Sequence, residues 1–277
     1  MANSKSLNMF KYLILGVIQG IGEWLPISSE GLISLVSLRF FGENISSSIG
    51  LAIFLHLGTF FAAFVYFWPE IKKIFARQNF AKQNLGGFTP NSRKVLFFLI
   101  VSTAVTGFLG VFLLKFFLNF FEKTKFSLDI FTLIIGLLLI LTAFALRQKP
   151  KDLKKEKELQ LTDGLWAGLF QGLAVLPGLS RSGLTIALLL FRGFKSETAL
   201  RLSFLMSLPA VLGGNIFLKL SSSFKEFSFK PGLLFGLLAS FLIGYLFLDF
   251  LIKLSRRVNF SLFVFIFGLL VIASVFI

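Results

Sequence analysis

The feature that most constrains the fold of this chain is a broken apolar segment that occurs twice. The first copy runs over Gly16–Leu32 and the second over Gly168–Leu184, and each has a Pro- and Ser-containing break between two short apolar runs. At one constant offset the identical pairs are Gly16 and Gly168, Gln19 and Gln171, Gly20 and Gly172, Ser28 and Ser180, Gly31 and Gly183, and Leu32 and Leu184. In a membrane protein, matching breaks in two halves indicate a polar site near the middle of the bilayer.

The rest of the chain has the composition of an integral membrane protein. It is 56% hydrophobic, contains 39 Phe and has a mean hydropathy of +0.85. A helix needs ~20 apolar residues to cross ~30 Å of hydrocarbon. Six stretches meet that length, and we predict them as membrane spans: 49–68, 95–118, 128–146, 198–219, 231–252 and 260–277.

The two broken segments have no apolar run long enough to cross. We predict that 10–41 and 164–194 are re-entrant helical hairpins, because irregular backbone at membrane depth survives only where protein or a wet cavity surrounds it. Each hairpin is followed by three spans, so equivalent hairpins enter from opposite faces and the fold is an all-α inverted repeat. The basic loop 147–163 separates the halves 1–146 and 164–277 of this single structural domain.

Basic residues set the predicted orientation. Loops 70–94, 147–163, 192–201 and 253–259 fall on one side and hold 18 of the 28 Lys and Arg residues. By the positive-inside rule this side is cytoplasmic, so the first hairpin and the active site open to the extracytoplasmic side of the plasma membrane. The net charge of +15 sits in short loops beside spans, which favours anionic lipid headgroups as partners and argues against nucleic acid.

Three charged residues lie at the breaks of the predicted hairpins, near the middle of the membrane: Glu23, Glu30 and Arg181. A charge at mid-membrane costs at least ~2.5–3.5 kcal/mol, so each is a functional candidate. One alternative is a salt bridge that only docks the two hairpins. Against it stand five neighbouring hydroxyl side chains: Ser28, Ser29, Ser180, Ser182 and Thr185.

Hydroxyls, a guanidinium and helix starts around one point make an anion site, and arginine favours phosphate through its bidentate fork. Gly31, Gly178 and Gly183 would let backbone N–H groups approach a ligand closely. A location inside the membrane implies that the anion carries a lipid tail. A carboxylate in such a site can accept a proton or bind a divalent metal that bridges to phosphate.

At these residues the chain resembles the undecaprenyl-diphosphate phosphatase family, also called the bacitracin-resistance protein family. The stretches that carry the resemblance are Gly20–Gly31 and Pro177–Thr185, followed by Arg201–Leu205 and Pro209–Gly213. The two motifs together are highly specific. The length and the hairpin-plus-three-span repeat also match, so the resemblance covers essentially the whole chain.

The resemblance implies an enzyme that hydrolyses a C55-type polyprenyl diphosphate to the monophosphate and so recycles the carrier of cell-envelope glycans. It implies that Glu23 is an acid/base or metal-binding carboxylate and that Ser29 is the nucleophile or an essential hydroxyl. Arg181 would clamp the diphosphate. A divalent cation, Mg²⁺ or Ca²⁺, is expected because one arginine cannot neutralise all the phosphate charge. The residues expected to contact substrate are Gln19, Ser28, Ser180, Ser182, Gly183 and Thr185.

This chain departs from the family's first motif at three positions. Gln19 replaces a Glu, Glu30 replaces a Thr, and Leu32 replaces a His that is a proposed nucleophile or base. Either that His is dispensable, or another group replaces it, or this chain no longer hydrolyses. Glu30 is one candidate replacement. The other is His56, the one His in the chain, which lies on the first predicted span. The alternative is that His56 only packs against a neighbouring helix.

The sequence therefore predicts a polyprenyl-diphosphate phosphatase, with Glu23 or Glu30 as the base. The alternative is a carrier or flippase that uses the same anion site without hydrolysis, because inverted repeats with meeting hairpins also occur in transporters. The expected partners are the lipid substrate and the membrane, with a homodimer left open.

Overall fold

The computed structural model describes residues 2–75, 92–124, 127–147, 159–221, 230–254 and 260–276. These ranges are helical and contain no strand, so the predicted all-α integral membrane fold is confirmed. Most of the predicted loop 147–163 lies outside the described residues. In chain order the helices are α1 (Ala2–Gly22), α2 (Ser29–Phe41), α3 (Ile45–Tyr66), α4 (Trp68–Phe75), α5 (Ser92–Thr124), α6 (Leu128–Ala145), α7 (Leu161–Leu173), α8 (Arg181–Phe191), α9 (Ser196–Leu220), α10 (Leu233–Leu254) and α11 (Phe260–Ala273).

Five of the six predicted spans form helices that are long and apolar enough to cross a membrane, namely α3, α5, α6, α9 and α10. The predicted span 49–68 ends earlier, because α3 stops at Tyr66 and α4 begins with Trp68 and Pro69. Proline suits the first turn of a helix, where its missing N–H has no intrahelical partner in any case. The predicted span 260–277 is shorter than expected: α11 has 14 residues and a 3₁₀ turn, Ser274–Phe276, follows it.

Both broken segments fold as pairs of helices that pack side by side, and the second helix of each pair is short. The first pair is α1 with α2, and the second is α7 with α8. Helix α2 has 13 residues and α8 has 11. At ~1.5 Å rise per residue, neither can cross ~30 Å of hydrocarbon. The breaks therefore place irregular backbone inside the apolar part of the molecule, where the other helices surround it.

The first helix of each hairpin packs on a helix of the opposite half, α1 on α10 and α7 on α5. Glycine permits both contacts. A Cβ on Gly16 would lie 2.2 Å from the carbonyl oxygen of Gly236, and one on Gly168 would lie 2.6 Å from that of Ser102. Each duplicated glycine thus packs on a helix of the other half of the chain. The two contacts are equivalent, as expected for a structural repeat. The opposite orientation of the halves across the membrane stays a prediction.

Candidate functional site

The two polar turns are shaped by serine caps. Ser28 caps α2, where its Oγ accepts a hydrogen bond from the N–H of Gly31 at 3.3 Å. Ser180 caps α8 in the same way, accepting from the N–H of Gly183 at 3.2 Å. Each cap satisfies one of the free N–H groups of the first helical turn. The remaining N-terminal amides and the positive dipole ends of both helices lie at the turns.

The two tips interlock through polar bonds that join residues far apart in sequence. The N–H of Gly178 donates to Ser28 Oγ at 3.0 Å, and Ser182 Oγ donates to the carbonyl oxygen of Leu25 at 3.3 Å. Ser28 has a φ of 57°, a left-handed conformation that is uncommon outside glycine and persists only when the surroundings fix it. Its two accepted hydrogen bonds supply that constraint. The predicted meeting of the hairpins is therefore present in the structure.

Glu23 is the centre of the site. It is 6% exposed, and its Oε1 pairs with the Arg181 guanidinium of the other hairpin. Its Oε2 accepts from Gln19 Nε2 at 2.8 Å and from Ser29 Oγ at 2.9 Å, and it lies 3.0 Å from His56 Nε2. The predicted catalytic residues Glu23, Ser29, Arg181 and His56 thus share one carboxylate. Such convergence offsets the cost of burying charge in a low-dielectric interior.

The imidazole of His56 has a polar partner at each nitrogen. Nδ1 lies 2.6 Å from the carbonyl oxygen of Ala52. Nε2 lies 3.0 Å from Glu23 Oε2. A histidine paired with a carboxylate at this place suits acid–base chemistry.

Glu30 differs from Glu23 in having one carboxylate oxygen, Oε1, without a donor among the described residues. It lies in the first turn of α2, where the helix dipole favours a negative charge. Its Oε1 is buried and has no hydrogen-bond partner among the described residues. A buried polar atom without a partner calls for an explanation, and a ligand is one. The two motif carboxylates thus differ: both oxygens of Glu23 face donors, whereas Glu30 Oε1 faces none among the described residues.

A small cavity of about 30 Å³ lies between the tips. Eight of the predicted site residues line it, namely Glu23, Ser28, Ser29, Glu30, His56, Ser180, Arg181 and Ser182. That volume exceeds the ~10–15 Å³ needed to hold one water molecule. Its polar lining therefore fits a water or a phosphate oxygen beside the Ser29 hydroxyl.

Three predicted substrate-binding residues lie outside this lining. Gln19 is fully buried behind Glu23. Thr185 Oγ1 lies 2.6 Å from Ser203 Oγ on α9, and a Cβ on Gly183 would lie 2.6 Å from Thr142 on α6. Gly183 and Thr185 face neighbouring helices, and Gln19 donates a hydrogen bond to the central carboxylate. Their predicted contact with substrate stays a prediction.

Some partners of the site residues were not predicted. The carbonyl oxygen of Ser203 accepts from Arg181 Nη1 at 3.3 Å, and Thr59 Oγ1 accepts from Gln19 Nε2 at 3.3 Å. The indole of Trp24 is 1% exposed and donates to the carbonyl oxygen of Gly244 at 2.8 Å. Ser203 lies in one of the matching stretches and Thr59 lies one turn beyond His56, so both had a sequence signal. Gly244 had none, because its carbonyl comes from the opposite half.

The donor set limits how a divalent cation could bind. Within the described ranges, no group of three His, Asp or Glu side chains could hold a metal ion. The two oxygens of Glu23 already face four donors, so the predicted metal role of Glu23 would require it to release some of them. Glu30 Oε1 is available. A hard cation at this place would therefore be shared between Glu30, water and the oxygens of a bound phosphate.

The fold and site define a class: an all-α integral membrane protein with a buried, arginine-paired carboxylate site built by two hairpins. The family model described as Bacitracin resistance protein BacA matches residues 12–273, and the chain belongs to this family. The resemblance seen in the motifs is therefore confirmed.

Relatives that match nearly end to end carry the name undecaprenyl-diphosphatase. The protein of Methanococcoides burtonii is 38% identical over 270 residues, covering 98% of this chain and 99% of the relative. That of Methanothrix thermoacetophila is 36% identical over 267 residues, 96% of this chain and 97% of the relative. A bacterial relative from Alkaliphilus metalliredigens is 36% identical over 262 residues, 91% and 92% respectively.

Proposed function

We propose that this protein is an acid anhydride hydrolase that converts undecaprenyl diphosphate to the monophosphate and phosphate, recycling the lipid carrier of cell-envelope glycans. The family and the names of its relatives support this activity. The observation that carries it is the buried carboxylate of Glu23, which contacts a serine hydroxyl, a histidine and an arginine. That set supplies a nucleophile, a base and an anion clamp.

Arg181 and the two helix N-termini would bind the diphosphate. Phosphate oxygens compete with Glu23 for the guanidinium, while the bond to the Ser203 carbonyl keeps the side chain oriented. Charge-assisted hydrogen bonds to phosphate are roughly twice as strong as neutral ones, and in a dry site they also stabilise the charge that develops in the transition state. Binding and rate therefore depend on the same residue.

The attacking oxygen belongs to Ser29 or to a water held beside it. Ser29 Oγ donates to Glu23 Oε2, so the carboxylate is placed to take the proton as the oxygen bonds to the terminal phosphorus. The phosphoanhydride bond then breaks, and its oxygen leaves with the lipid monophosphate. The proton taken by Glu23 can pass to His56, whose Nε2 lies 3.0 Å from Glu23 Oε2, and His56 would then protonate that leaving group. If Ser29 attacks first, water hydrolyses the phosphoserine in a second step.

A divalent cation, Mg²⁺ or Ca²⁺, would be held by Glu30 together with the substrate's phosphates. Its chemistry when bound would be to neutralise phosphate charge that Arg181 alone leaves uncompensated. Glu30 Oε1 supports this placement because it is buried and lacks a donor. This assigns the two motif carboxylates to different tasks, the proton to Glu23 and the cation to Glu30.

Phosphate release from undecaprenyl diphosphate by the detergent-purified protein tests the proposal. We expect catalytic release that stops in the Glu23→Gln variant. A carrier or flippase would bind the lipid and release no phosphate, so tight binding without release would replace this proposal with the transport alternative.

We also propose that the site opens to the extracytoplasmic side of the plasma membrane, based on the distribution of Lys and Arg. The chain has no cysteine, so single cysteines report position without a background. Ser127 and Ser196 are exposed at the starts of α6 and α9, on opposite predicted sides. In intact cells an impermeant thiol reagent should label Ser127→Cys and spare Ser196→Cys. The reverse pattern would invert the topology.

A further inference from the structure

We propose that the interface between α2 and α3 holds a row of bound water molecules that carries protons between the small cavity and the surface of the protein. The proton role rests on the proposed hydrolysis, whereas the row of water does not. Ser34, Ser37 and Ser48 are each 0% exposed, and the Oγ of each has no hydrogen-bond partner among the described residues. Buried water bonds polar groups that are otherwise unsatisfied. We call these three residues the serine row.

The serine row lies on two helix faces that oppose each other. On α2, Ser34 and Ser37 follow Glu30 at i+4 and i+7, so the three residues share one face. On α3, Ser48 precedes His56 by eight positions and lies on the same side of the helix. Glu30 and His56 line the small cavity at one end, and a three-residue connection joins the two packed helices at the other. The two polar faces therefore oppose each other from the cavity to the connection.

The row ends at the surface of the protein. The carbonyl oxygen of Ser37 accepts hydrogen bonds from the N–H groups of Gly42 and Glu43 at the end of α2. Gly42 and Asn44 in this connection are exposed. Ser37 thus lies directly beneath an exposed turn of the chain, and Ser34 lies one helical turn deeper. The row therefore reaches from solvent toward the cavity.

The spacing of the polar atoms suits single water molecules. A water bonded to two hydroxyls spans roughly 5–6 Å, the sum of two O–H···O distances. Side chains three or four positions apart on one helix face are ~5–6 Å apart. One water could therefore bridge Ser34 to Ser37, and another could bridge Ser34 to Glu30, whose Oε1 also has no partner among the described residues. Ala52, one turn from Ser48 on α3, presents only a methyl group to the same interface.

The proposed hydrolysis gives such a row a task. Water adds its oxygen to the terminal phosphorus, and the bridging oxygen leaves with the lipid. A diphosphate with three negative charges and one water thus become two phosphate dianions and one proton. That proton has to pass from the buried site to solvent. Water and serine hydroxyls both donate and accept hydrogen bonds, so a row of them can pass a proton along, which an apolar interface cannot.

Silver ions test for the row of water without reference to activity. The chain has no cysteine, so Ser34→Cys and Ser37→Cys each carry a single thiol. Ala63→Cys is the matched control, because Ala63 is 0% exposed on α3 and belongs to the apolar core. Silver should block the two serine positions at least ~10-fold faster than Ala63→Cys, whose thiol reacts only when the fold opens locally. Alkylation of the remaining thiols after unfolding gives the rates.

Equal silver rates at Ser34→Cys and Ala63→Cys would overturn the row of water, whatever the hydrolytic activity. Silver access in a protein that releases no phosphate would support the row of water and reject the proposed hydrolysis together with the proton role. The two proposals can therefore fail separately.

The proton role has its own test in Ser34→Ala. Loss of the hydroxyl should lower kcat for phosphate release roughly 10-fold, less than the ~10²–10⁴-fold of a general acid–base group itself. The solvent deuterium isotope effect on kcat should rise, because proton movement then limits the rate. Ser240→Ala is the control, since Ser240 is also 0% exposed but its Oγ donates to the carbonyl oxygen of Leu55 at 2.9 Å. In this control the isotope effect should not change.

An unchanged kcat and isotope effect in Ser34→Ala would contradict the proton role. A Tm of Ser34→Ala above that of the parent protein would contradict the row of water, because removing a buried hydroxyl that nothing bonds stabilises the fold.

Discussion

The two hairpin tips follow one sequence pattern but contribute opposite charges. At the repeat offset, Glu23 of the first tip corresponds to Val175 of the second, and Ser29 corresponds to Arg181. The shared positions build the frame: both turns carry a serine cap, and both leading helices pack by glycine on the opposite half. The differing positions supply the base, the hydroxyl and the guanidinium. The duplication thus provides geometry, and divergence within it provides the chemistry.

The largest expected effect comes from removing the charge that distinguishes the first tip. Glu23→Gln should lower kcat for phosphate release by ~10²–10⁴-fold, the range for a general acid–base group. It should also reduce stability, because the Arg181 guanidinium loses its counter-charge in a buried site. Steady-state phosphate release on monodisperse protein checks this.

The control for that variant is Glu70→Gln, which alters a carboxylate paired with Arg201 outside the site. It should change activity little. Folded Glu23→Gln protein with parental activity would contradict this prediction, because it would show that Ser29 and Arg181 act without the Glu23 carboxylate as a base.

The second prediction distinguishes Glu30 from His56 as the replacement for the His that the family has at the position of Leu32. His56 lies 3.0 Å from Glu23 Oε2, whereas Glu30 Oε1 has no partner among the described residues. We therefore expect His56→Ala to lower kcat by ~10²-fold at any cation concentration. Glu30→Gln should mainly raise the Mg²⁺ concentration needed for half-maximal rate, with the rate recovered at saturation. Metal titrations of both variants give the comparison, and the opposite ranking would make Glu30 the base.

The sequence predicted which residues each hairpin tip contributes to the site, but it did not predict all of their partners in other parts of the chain. The duplicated motif predicted the hairpins and the meeting of Glu23, Ser29 and Arg181, because a charge inside an apolar segment needs a buried polar partner. It did not predict the contact between Trp24 and Gly244, which joins opposite halves of the chain. No local pattern specifies a backbone oxygen so far away.

Glycine and threonine in the second motif show the same limit. The sequence predicts that Gly183 and Thr185 contact substrate, since a glycine lets backbone N–H groups approach a ligand and a hydroxyl suits an anion site, and this stays a prediction. In the structure they pack against Thr142 and Ser203. A small or hydroxyl side chain serves close helix packing as readily as ligand binding, and the sequence alone did not predict these helix contacts.

The third prediction tests the guanidinium of the second tip. Arg181→Lys keeps the charge and loses the planar fork, so it should weaken substrate capture by roughly 1–3 kcal/mol. Measured as kcat/KM, the loss should be ~5–150-fold. Arg192→Lys is a suitable control, because Arg192 pairs with Asp163 away from the tips. Unchanged KM and kcat in Arg181→Lys would remove this residue from the substrate site and leave it as the salt bridge that docks the hairpins.

The smallest expected effect comes from the glutamine that both copies of the repeat share. Gln19 and Gln171 occupy equivalent positions and are 0% and 2% exposed. Gln19 Nε2 donates to Glu23 Oε2 at 2.8 Å, whereas Gln171 Nε2 donates to Thr106 Oγ1 at 3.1 Å, because the second copy has no carboxylate there. Replacing either by Leu keeps the volume and removes the amide, so the two variants should lose similar thermal stability.

The activities of the two variants should differ. Gln19→Leu removes a hydrogen bond to a charged group and should lower kcat ~10-fold, while Gln171→Leu removes a hydrogen bond between neutral groups and should lower kcat at most about 3-fold. Equal kcat losses at equal Tm would mean that Gln19 acts only through packing, and that Arg181, His56 and Ser29 hold the Glu23 carboxylate in position without it.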